Sequence, residues 1–344
     1  MSSEPVTDGP TADAVARLLD ELAPARNARL VEQLLRAAVD LVNDQPATLD
    51  LKIASAALQE MREAFEMFAP YTGSPKVTIF GSARTLTDDP LYEQARRVAA
   101  HLAANGWMVV TGAGPGIMQA GMEGAGREHS IGVSVRLPFE QRANPVIAGD
   151  EKYVSMKYFF TRKLMLIKES KGFVCLPGGF GTLDETFELL TLTQTGKGLP
   201  VPIVFLDTPG DPYWERVHEF VLEQLVKRGL VSQPDTNLYF ITDSCHAAVN
   251  EILGFYRNYD SLRYVGDQLV LRLRQAPTAD QLVVLNQRFG HLCATGSIDA
   301  AEAFAIERRE NDRVDLPRLS LTFAKHGYGD LRALIDMVNG FVEG

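Results

Sequence analysis

The sequence has few of the features that mark metal-binding, secreted or membrane-spanning proteins. Three cysteines, Cys175, Cys245 and Cys293, are spread over 344 residues without CxxC spacing, so neither a disulfide framework nor a zinc site is expected. The six histidines form no HxxxH or HxH cluster. No apolar run reaches the roughly 18–20 residues that span a bilayer, and the polar N-terminus lacks a signal segment. We therefore expect no metal, no membrane partner and a cytoplasmic location.

Basic residues are also scarce relative to acidic ones. The formal net charge is -10, whereas proteins that bind duplex nucleic acid normally present a basic surface. A nucleic-acid partner is therefore not expected, although a local cationic pocket for a small anion is compatible with this charge. Hydrophobic residues make up 46% and charged residues 23% of the chain, as in ordinary globular proteins. The length suffices for one sizeable α/β domain with appendages.

The first 73 residues have the pattern of a helical extension. Residues 1 to about 10 are expected to be disordered. From Thr11 to about Pro70, apolar residues recur at helical spacing, and prolines at Pro24 and Pro46 interrupt the pattern. This spacing predicts three helices, which we interpret as a packing or oligomerisation appendage.

Residues 74–259 alternate short apolar runs with amphipathic segments. The apolar runs predict strands at Val77–Gly81, Trp107–Thr111, Gly132–Leu137, Gly172–Leu176, Pro202–Leu206 and Leu238–Thr242. The amphipathic segments predict helices at Leu91–Asn105, Gly116–Glu128, Lys157–Glu169, Thr182–Thr195, Tyr213–Arg228 and Ser244–Tyr256. Strands that are apolar throughout and separated by helices indicate a parallel sheet covered on both faces. The fold class is therefore α/β, a doubly wound Rossmann-like arrangement that binds nucleotides.

The pattern changes after Tyr259. Strands are predicted at Gln268–Leu273 and Leu319–Phe323 and helices at Thr278–Phe289 and Asp330–Val338, while residues 296–309 are ambiguous. We expect residues 260–344 to form a small α+β accessory module of βαββα type. A structural role is the favoured interpretation of this module, and a regulatory ligand site is the alternative.

The segment Pro177–Glu185, with the sequence P-G-G-F-G-T-L-D-E, connects a predicted strand to a predicted helix. Such a turn directs unpaired backbone N–H groups and the positive end of the helix dipole at one point, which suits a phosphate group. Glycines at Gly178, Gly179 and Gly181 let the backbone approach the anion, and the Thr182 hydroxyl adds a donor. A carboxylate at Glu185 would repel the phosphate itself. It therefore indicates chemistry on a neighbouring atom, as in a sugar phosphate.

Two further glycine loops follow predicted strands. Gly81-Ser82-Ala83-Arg84 follows the first strand, and T-G-A-G-P-G-I-M, residues 111–118, follows the second. In a sheet of order 3-2-1-4-5, the first and fourth strands are neighbours at the switch point. We therefore expect the loop at Ser82 and the loop at Gly178 to face one crevice.

Three common enzyme classes are disfavoured. The second loop is G-x-G-x-G, and the next strand ends in Arg136-Leu137-Pro138 where a dinucleotide-binding domain would have an acidic residue. The chain contains no G-x-x-x-x-G-K-[ST] for ATP hydrolysis of the Walker type. It also contains no G-x-S-x-G elbow of a serine hydrolase.

An Arg-Lys pair, Arg162 and Lys163, lies on the predicted helix before the fourth strand. This pair followed by P-G-G-x-G-T-x-x-E resembles the Lonely Guy family of cytokinin-activating phosphoribohydrolases, many of whose bacterial members carried an older lysine decarboxylase-like label. The resemblance covers about residues 74–257. Its weaker pieces, which match the longer bacterial branch, are Gly81-Ser82, Gly112–Met118 and Leu137-Pro138…Gln141…Asn144-Pro145. Ala83-Arg84 departs from the cysteine, glycine and two serines of the short plant-type loop.

The resemblance implies hydrolysis of the N-glycosidic bond of a nucleoside 5′-monophosphate, AMP or N6-modified AMP such as a cytokinin ribotide, without a cofactor. It implies that Arg162 and Glu185 are the catalytic pair and that the protein forms a homodimer or a higher homo-oligomer. The implied phosphate cradle is Gly178, Gly179, Gly181 and Thr182, with Ser82 beside it. Candidates for the substrate pocket are Gly114, Met118, Arg136, Asn144, Met156 and Lys163.

The chemistry of these residue types agrees with that reaction. Cleavage of an N-glycosidic bond develops positive charge on the ribose, which a carboxylate at Glu185 can stabilise while it orients or deprotonates water. Arg162 cannot act as an ordinary proton donor because an arginine guanidinium does not give up its proton in proteins, so positioning is its expected role. No arrangement of a Schiff-base lysine with an acid for a pyridoxal ring is recognisable.

Two alternatives are open at this stage. One is a non-catalytic nucleotide or molybdenum-cofactor carrier or sensor on the same fold. The other is an enzyme whose residues 260–344 sense an effector.

Overall fold

The computed structural model describes residues 10–22, 27–137 and 143–342. The chain divides into two compact units, residues 1–59 and residues 60–344. Most of the segment predicted to be disordered, residues 1–9, lies outside the described residues, and Pro10 begins a helix.

The first unit is helical, as predicted. Helices α1 (Pro10–Leu22) and α2 (Ala28–Asn43) pack against each other, and α3 (Thr48–Phe68) begins in this unit. On α2 the side chains of Leu30, Leu34 and Val42 are exposed. Part of the apolar surface that predicted this helix is therefore exposed.

A parallel sheet of seven strands organises the second unit. The strands are β1 (Lys76–Phe80), β2 (Met108–Thr111), β3 (Ser130–Val135), β4 (Tyr153–Met156), β5 (Gly172–Cys175), β6 (Ile203–Leu206) and β7 (Phe240–Thr242). Their spatial order is β4-β3-β2-β1-β5-β6-β7, and every neighbouring pair is parallel. The predicted order of the central strands is confirmed.

Helices cover both faces of this sheet. They are α4 (Pro90–Ala104), α5 (Ile117–Ala125), α6 (Phe159–Lys168), α7 (Phe180–Gln194), α8 (Tyr213–Phe220) and α9 (Cys245–Gly254). Residues of α4, α5 and α9 share one apolar core with one face of the sheet. The opposite core contains residues of α6, α7 and α8, together with Ala64 and Phe68 from the end of α3. The doubly wound α/β fold is therefore confirmed.

One strand and one helix of the α/β region differ from the prediction. Strand β4 was not predicted, because it has four residues and only alternate side chains are buried, as at a sheet edge. The predicted helix 213–228 is α-helical only to Phe220 and continues as a π-helical turn at Val221–Val226. Short 3₁₀ turns occur at Ala69–Tyr71, Arg127–His129, Gln233–Leu238 and Gly290–Leu292.

The C-terminal part of the chain forms a second, antiparallel sheet. Its strands are β8 (Tyr259–Val265), β9 (Gln268–Leu273), β10 (Cys293–Ala301) and β11 (Arg318–Phe323), in the order β10-β11-β9-β8. Helices α10 (Ala279–Phe289), α11 (Ala305–Glu310) and α12 (Tyr328–Asn339) accompany it. The small α+β extension is confirmed.

The predicted βαββα order of this extension is wrong. The structure adds strand β8 before it, and the ambiguous residues 296–309 contain the end of β10 and most of α11. The domain boundaries at residues 73 and 259 stay predictions. No helix in the described part of the chain is long and apolar enough to cross a bilayer.

Candidate active site

Three glycine loops meet at the switch point of the sheet, where the order in which the chain adds strands reverses. Strands β1 and β5 are paired neighbours, with Phe80 opposite Cys175, so the loops that follow them leave the sheet side by side. The Ser82 N–H donates to the Pro177 carbonyl at 3.2 Å, and the Ile117 N–H donates to the Ser82 carbonyl at 3.0 Å. The loops after β1, β2 and β5 are therefore joined by backbone hydrogen bonds. The first and third loops lie close together, as predicted.

Two glycines are required by this close approach. Gly116 has a φ of 65°, and a Cβ there would lie 2.4 Å from the Ser82 carbonyl oxygen. A Cβ on Gly178 would lie 2.2 Å from Thr182 Oγ1 and 3.0 Å from the Ser82 nitrogen. No larger residue fits at either position without displacing a neighbouring loop.

The N-terminus of α7 has the geometry of an anion cradle. The first helical hydrogen bond runs from the Leu183 N–H to the Gly179 carbonyl at 3.1 Å. The N–H groups of Phe180, Gly181 and Thr182 therefore have no partner within the helix. Gly179 and Gly181 are exposed, while the Thr182 side chain is buried against Gly178. A phosphate group could approach these N–H groups from solvent.

Arg162 and Glu185 form a buried ion pair beside this cradle. Arg162 Nη1 lies 3.0 Å from Glu185 Oε1, and the two side chains are 10% and 11% exposed. Arg162 Nε also donates to the Val133 carbonyl of β3 at 3.1 Å. A Cβ on Gly112 would lie 2.3 Å from Arg162 Nη2, so the second loop passes directly over the guanidinium. The sequence-predicted catalytic pair is brought together.

The electrostatics of Glu185 are set by competing effects. Burial raises the pKa of Glu185 above its usual value, although Arg162 and Lys163 act to lower it. Lys163 Nζ lies 2.7 Å from Asp184 Oδ2 and 2.6 Å from Glu188 Oε2. Burial acts to lower the pKa of Lys163, but these two carboxylates outweigh it and the pKa is raised. Glu185 is therefore a carboxyl group that holds its proton more tightly than an exposed glutamate does.

Asn144 holds the second loop in place. Its backbone N–H donates to the Ala113 carbonyl at 2.8 Å, and its buried side-chain amide donates to the Gly114 carbonyl at 3.2 Å. The half-buried Met118 side chain lies against Gly114, where a Cβ would be 2.7 Å from Met118 Cε. Of the pocket candidates, Gly114, Met118 and Asn144 thus lie together in or against the second loop, and Asn144 fastens that loop by its hydrogen bonds.

Two pocket candidates make their contacts away from the second loop. Met156 is fully buried in the apolar core between the sheet and its helices. Arg136 is largely exposed and is directed to Glu60, with 3.4 Å between Arg136 Nη2 and Glu60 Oε1. The burial of Met156 favours a structural role, whereas Arg136 stays a candidate. Pro138 and Gln141, two of the residues that carry the family resemblance, lie outside the described residues.

Sequence reasoning did not identify Glu60. This buried carboxylate accepts hydrogen bonds from the Lys157 N–H at 2.6 Å and from Thr161 Oγ1 at 2.7 Å. It thereby secures the start of α6, the helix that carries Arg162. A glutamate in an amphipathic helix gives no sequence signal that distinguishes this function from solvent exposure.

A cavity of about 560 Å³ opens next to the joined loops. It is lined by residues 83–88 of the first loop, Tyr92, Pro115, Gly116 and Gln119.

Cys175, at the end of β5, is buried, which raises the pKa of its thiol to about 12 and keeps it protonated. Among the described residues, no group of three or more histidine, cysteine or acidic side chains is arranged to hold a metal ion.

Comparisons with known proteins point to one family. The family model described as "Possible lysine decarboxylase" matches residues 116–252. A cytokinin riboside 5′-monophosphate phosphoribohydrolase of Mycobacterium marinum is 28% identical over 166 residues, which are 47% of this chain and 86% of the relative. The rice enzyme of the same name (Oryza sativa subsp. japonica) is 29% identical over 51% of this chain and 71% of its own length.

Other similarities cover less or are weaker. A probable enzyme of that name from Arabidopsis thaliana is 31% identical over 116 residues, and the chain spans only 54% of its length. A molybdenum cofactor carrier protein of Chlamydomonas reinhardtii is 19% identical, with a TM-score of 0.36 over 52% of this chain and 98% of that one. The family model and the curated relatives together confirm the resemblance that the motifs indicated: the α/β domain of this chain is similar to the Lonely Guy family.

Proposed function

We propose that this protein hydrolyses the N-glycosidic bond of nucleoside 5′-monophosphates, with AMP and N6-modified AMP as the expected substrates. The observation that carries the proposal is the buried Arg162–Glu185 pair beside the N-terminus of α7. A site for phosphate alone needs no carboxylate near its N–H groups, because that charge would repel the ligand. The names of the curated relatives support the same reaction.

The substrate phosphate would bind at the N-terminus of α7. The N–H groups of Phe180, Gly181 and Thr182 would donate to its oxygens, and the Thr182 hydroxyl adds a further donor. Glu185 follows in the same helix, one turn further along. A phosphate held at the helix start therefore leaves the ribose within reach of the Glu185 carboxylate.

The reaction breaks the bond between C1′ and the base nitrogen and forms a bond between C1′ and a water oxygen. As the base leaves, positive charge develops on the ribose, and the Glu185 carboxylate stabilises it. Glu185 then accepts the proton of the attacking water, which its raised pKa favours. The proton finally passes to the departing base or to solvent. The products are the free base and ribose 5-phosphate.

Arg162 would act by position and charge. Its hydrogen bond to Val133 and its contact with Gly112 fix the guanidinium, so it holds Glu185 in one orientation. Lys163 is a poor candidate for a Schiff base, because its ammonium group is paired with Asp184 and Glu188 and its pKa is raised. The charge state of this lysine therefore gives no support to a decarboxylase reaction of the pyridoxal type.

We also propose that the site lies beside an interface between two copies of the chain. Phe159, Phe160 and Leu164 on α6 are about half exposed, and Phe180 at the start of α7 is 94% exposed. The ion pairs of Lys163 hold these two helices side by side. We define these four apolar residues as the α6–α7 patch. A second copy that covered the patch would remove it from water and close one side of the site.

The test of the reaction is release of free base. The purified protein is incubated with AMP, isopentenyl-AMP, GMP and CMP, and the bases are resolved by chromatography. Glu185→Gln keeps the side-chain shape but cannot accept the proton, so it should lose activity by at least about a hundredfold. Glu219→Gln, at an exposed pair with Arg216, is the control and should keep it. Binding of AMP without release of base would support the carrier or sensor alternative.

A further inference from the structure

Tyr213, the first residue of α8, contacts the phosphate loop. Its hydroxyl donates to the Gly178 carbonyl with an O–O distance of 2.7 Å. The two residues are 35 positions apart, so the contact exists only because β5 and β6 are neighbours in the sheet. Burial raises the pKa of Tyr213, so the hydroxyl stays protonated and remains a donor.

Contacts with the end of β6 and with the loop that follows it fix the position of Tyr213. The Tyr213 N–H donates to Asp211 Oδ1 at 3.1 Å, and the Trp214 N–H donates to Asp207 Oδ2 at 3.0 Å. Trp214 is fully buried and stacks on Phe205 of β6, with 4.2 Å between ring centroids. The start of α8 is thus anchored by two carboxylates and a buried ring. The hydroxyl of Tyr213 is therefore placed independently of the loop that it contacts.

This hydrogen bond completes the pairing of three consecutive carbonyl groups. The Pro177 carbonyl accepts from the Ser82 N–H, and the Gly179 carbonyl accepts from the Leu183 N–H. The Gly178 carbonyl, between them, accepts from Tyr213. All three oxygens of residues 177–179 are therefore engaged by donors on the protein.

The Gly178–Gly179 peptide is the one most able to rotate. Both of its residues are glycines, which have the widest range of backbone conformations. In a trans peptide the carbonyl and the N–H point in opposite directions, so a flip of this unit would exchange them. Gly179 is the N-cap residue of α7, so its N–H is the first of the four N–H groups at the helix start that have no partner within the helix. After a flip, a carbonyl oxygen would point where this N–H points, and its partial negative charge would repel a phosphate bound at the helix start.

We propose that Tyr213 is a positioning residue that keeps the Gly178–Gly179 peptide in its anion-binding orientation and thereby sets the affinity of the site for a phosphate group. The inference deepens the proposed function and rests on it for the identity of the ligand as a nucleotide. The affinity for phosphate, however, can be measured without any turnover.

The decisive variant is Tyr213→Phe, which keeps the ring and removes the donor. Tyr239→Phe is the matched control, because Tyr239 stacks on the Phe205 ring, as Trp214 does, and its hydroxyl contacts His218 Nδ1 at 2.7 Å instead of the loop. Calorimetry measures the binding of AMP, ribose 5-phosphate and adenosine to each protein. Tyr213→Phe should weaken the binding of AMP and ribose 5-phosphate about tenfold and leave adenosine within about twofold.

Kinetics give an independent readout. If the proposed reaction occurs, Tyr213→Phe should raise KM for AMP with little change in kcat, since the reacting atoms are untouched. If the wild type binds AMP but releases no base, the positioning inference still stands on the binding data while the enzyme proposal falls. Unchanged affinity for AMP in a folded Tyr213→Phe protein would overturn the inference. Equal losses for AMP and adenosine, or a similar loss in Tyr239→Phe, would also overturn it.

Discussion

Arg162 and Glu185, from two different helices, meet in a 3.0 Å ion pair that is almost closed to water. Removing both charges from water is costly, so such a pair is weak evidence for stability alone. Its place beside the exposed N-terminus of α7 gives it a different significance. Burial holds the Glu185 proton more tightly while Arg162 and Lys163 favour its release, and this balance makes the carboxyl group suitable for accepting a proton.

The neighbours of Glu185 should shift its pKa in opposite directions. Lys163→Met removes a cation and leaves Asp184 and Glu188 unpaired, so the pKa of Glu185 should rise. Glu188→Gln removes a carboxylate and should lower it. Because Glu185 must be ionised to act as a base, the acid limb of kcat/KM should move to higher pH in Lys163→Met and to lower pH in Glu188→Gln. Each shift should be about half a pH unit to one unit.

The control for this pH profile is Lys227→Met, which breaks an exposed pair with Glu223. It should leave the acid limb in place. A shift of Lys163→Met and Glu188→Gln in the same direction would contradict the assignment of the acid limb to Glu185.

The α6–α7 patch should control the oligomeric state. Leu164 belongs to the patch and is 46% exposed, whereas the ion pair in the site is buried. Leu164→Asp would place a charge in the proposed apolar interface, so it should convert the proposed dimer to a monomer in light scattering coupled to gel filtration. Leu230→Asp, at another exposed leucine, should leave the mass unchanged. A wild type that is monomeric at all concentrations would rule out this interface.

Asp207 should make stability depend on pH. It is buried at the end of β6, and burial raises its pKa from 3.8 to about 6 despite its hydrogen bond from the Trp214 N–H. The folded state therefore binds this proton more tightly than the unfolded state does. Its contribution to the free energy of unfolding should fall as pH rises from about 4 to about 6 and stay low above that.

Asp207→Asn removes this titration. Relative to wild type, the variant should gain stability in urea unfolding as pH rises through this window, and the difference should level off above about pH 6. Asp88→Asn, at an exposed aspartate, is the control. A difference between Asp207→Asn and wild type that stays constant over the whole window would show that Asp207 does not titrate there.

The sequence was sufficient to predict six of the seven strands of the parallel sheet, because these depend on local patterns. The meeting of the glycine loops followed from the strand order of a doubly wound sheet. Buried parallel strands are continuous apolar runs, and the P-G-G-x-G-T-x-x-E segment carries its own turn and helix start. The contacts of Tyr213 with Gly178 and of Glu60 with the start of α6 were not predictable, because they join residues far apart in sequence. Met156 was misplaced for a related reason. A methionine near a motif is compatible with a pocket or a core, and only tertiary packing distinguishes them. The roles assigned to the site residues stay predictions.

Gly178 and Gly181 belong to one motif, but the structure gives them different reasons to be glycine. A Cβ on Gly178 would collide with Thr182 Oγ1, whereas a Cβ on Gly181 would have no heavy atom within 4 Å. Gly181 also lies in the first turn of α7, where alanine favours the helix by up to about 1 kcal/mol. Gly181→Ala should therefore raise the Tm of the unliganded protein. Gly178→Ala should lower it.

Binding should respond differently from stability. If phosphate approaches the N–H groups at the start of α7, a methyl group on residue 181 occupies its path, so Gly181→Ala should bind AMP at least about tenfold more weakly although it is the more stable protein. Gly290→Ala, which has open space around its Cβ position but lies far along the chain, should keep wild-type affinity. Thermal unfolding with and without AMP measures both effects in each variant. A Gly181→Ala protein that binds AMP as tightly as the wild type would mean that the anion does not reach this turn, because only an approaching ligand requires glycine at a position that the protein itself leaves open.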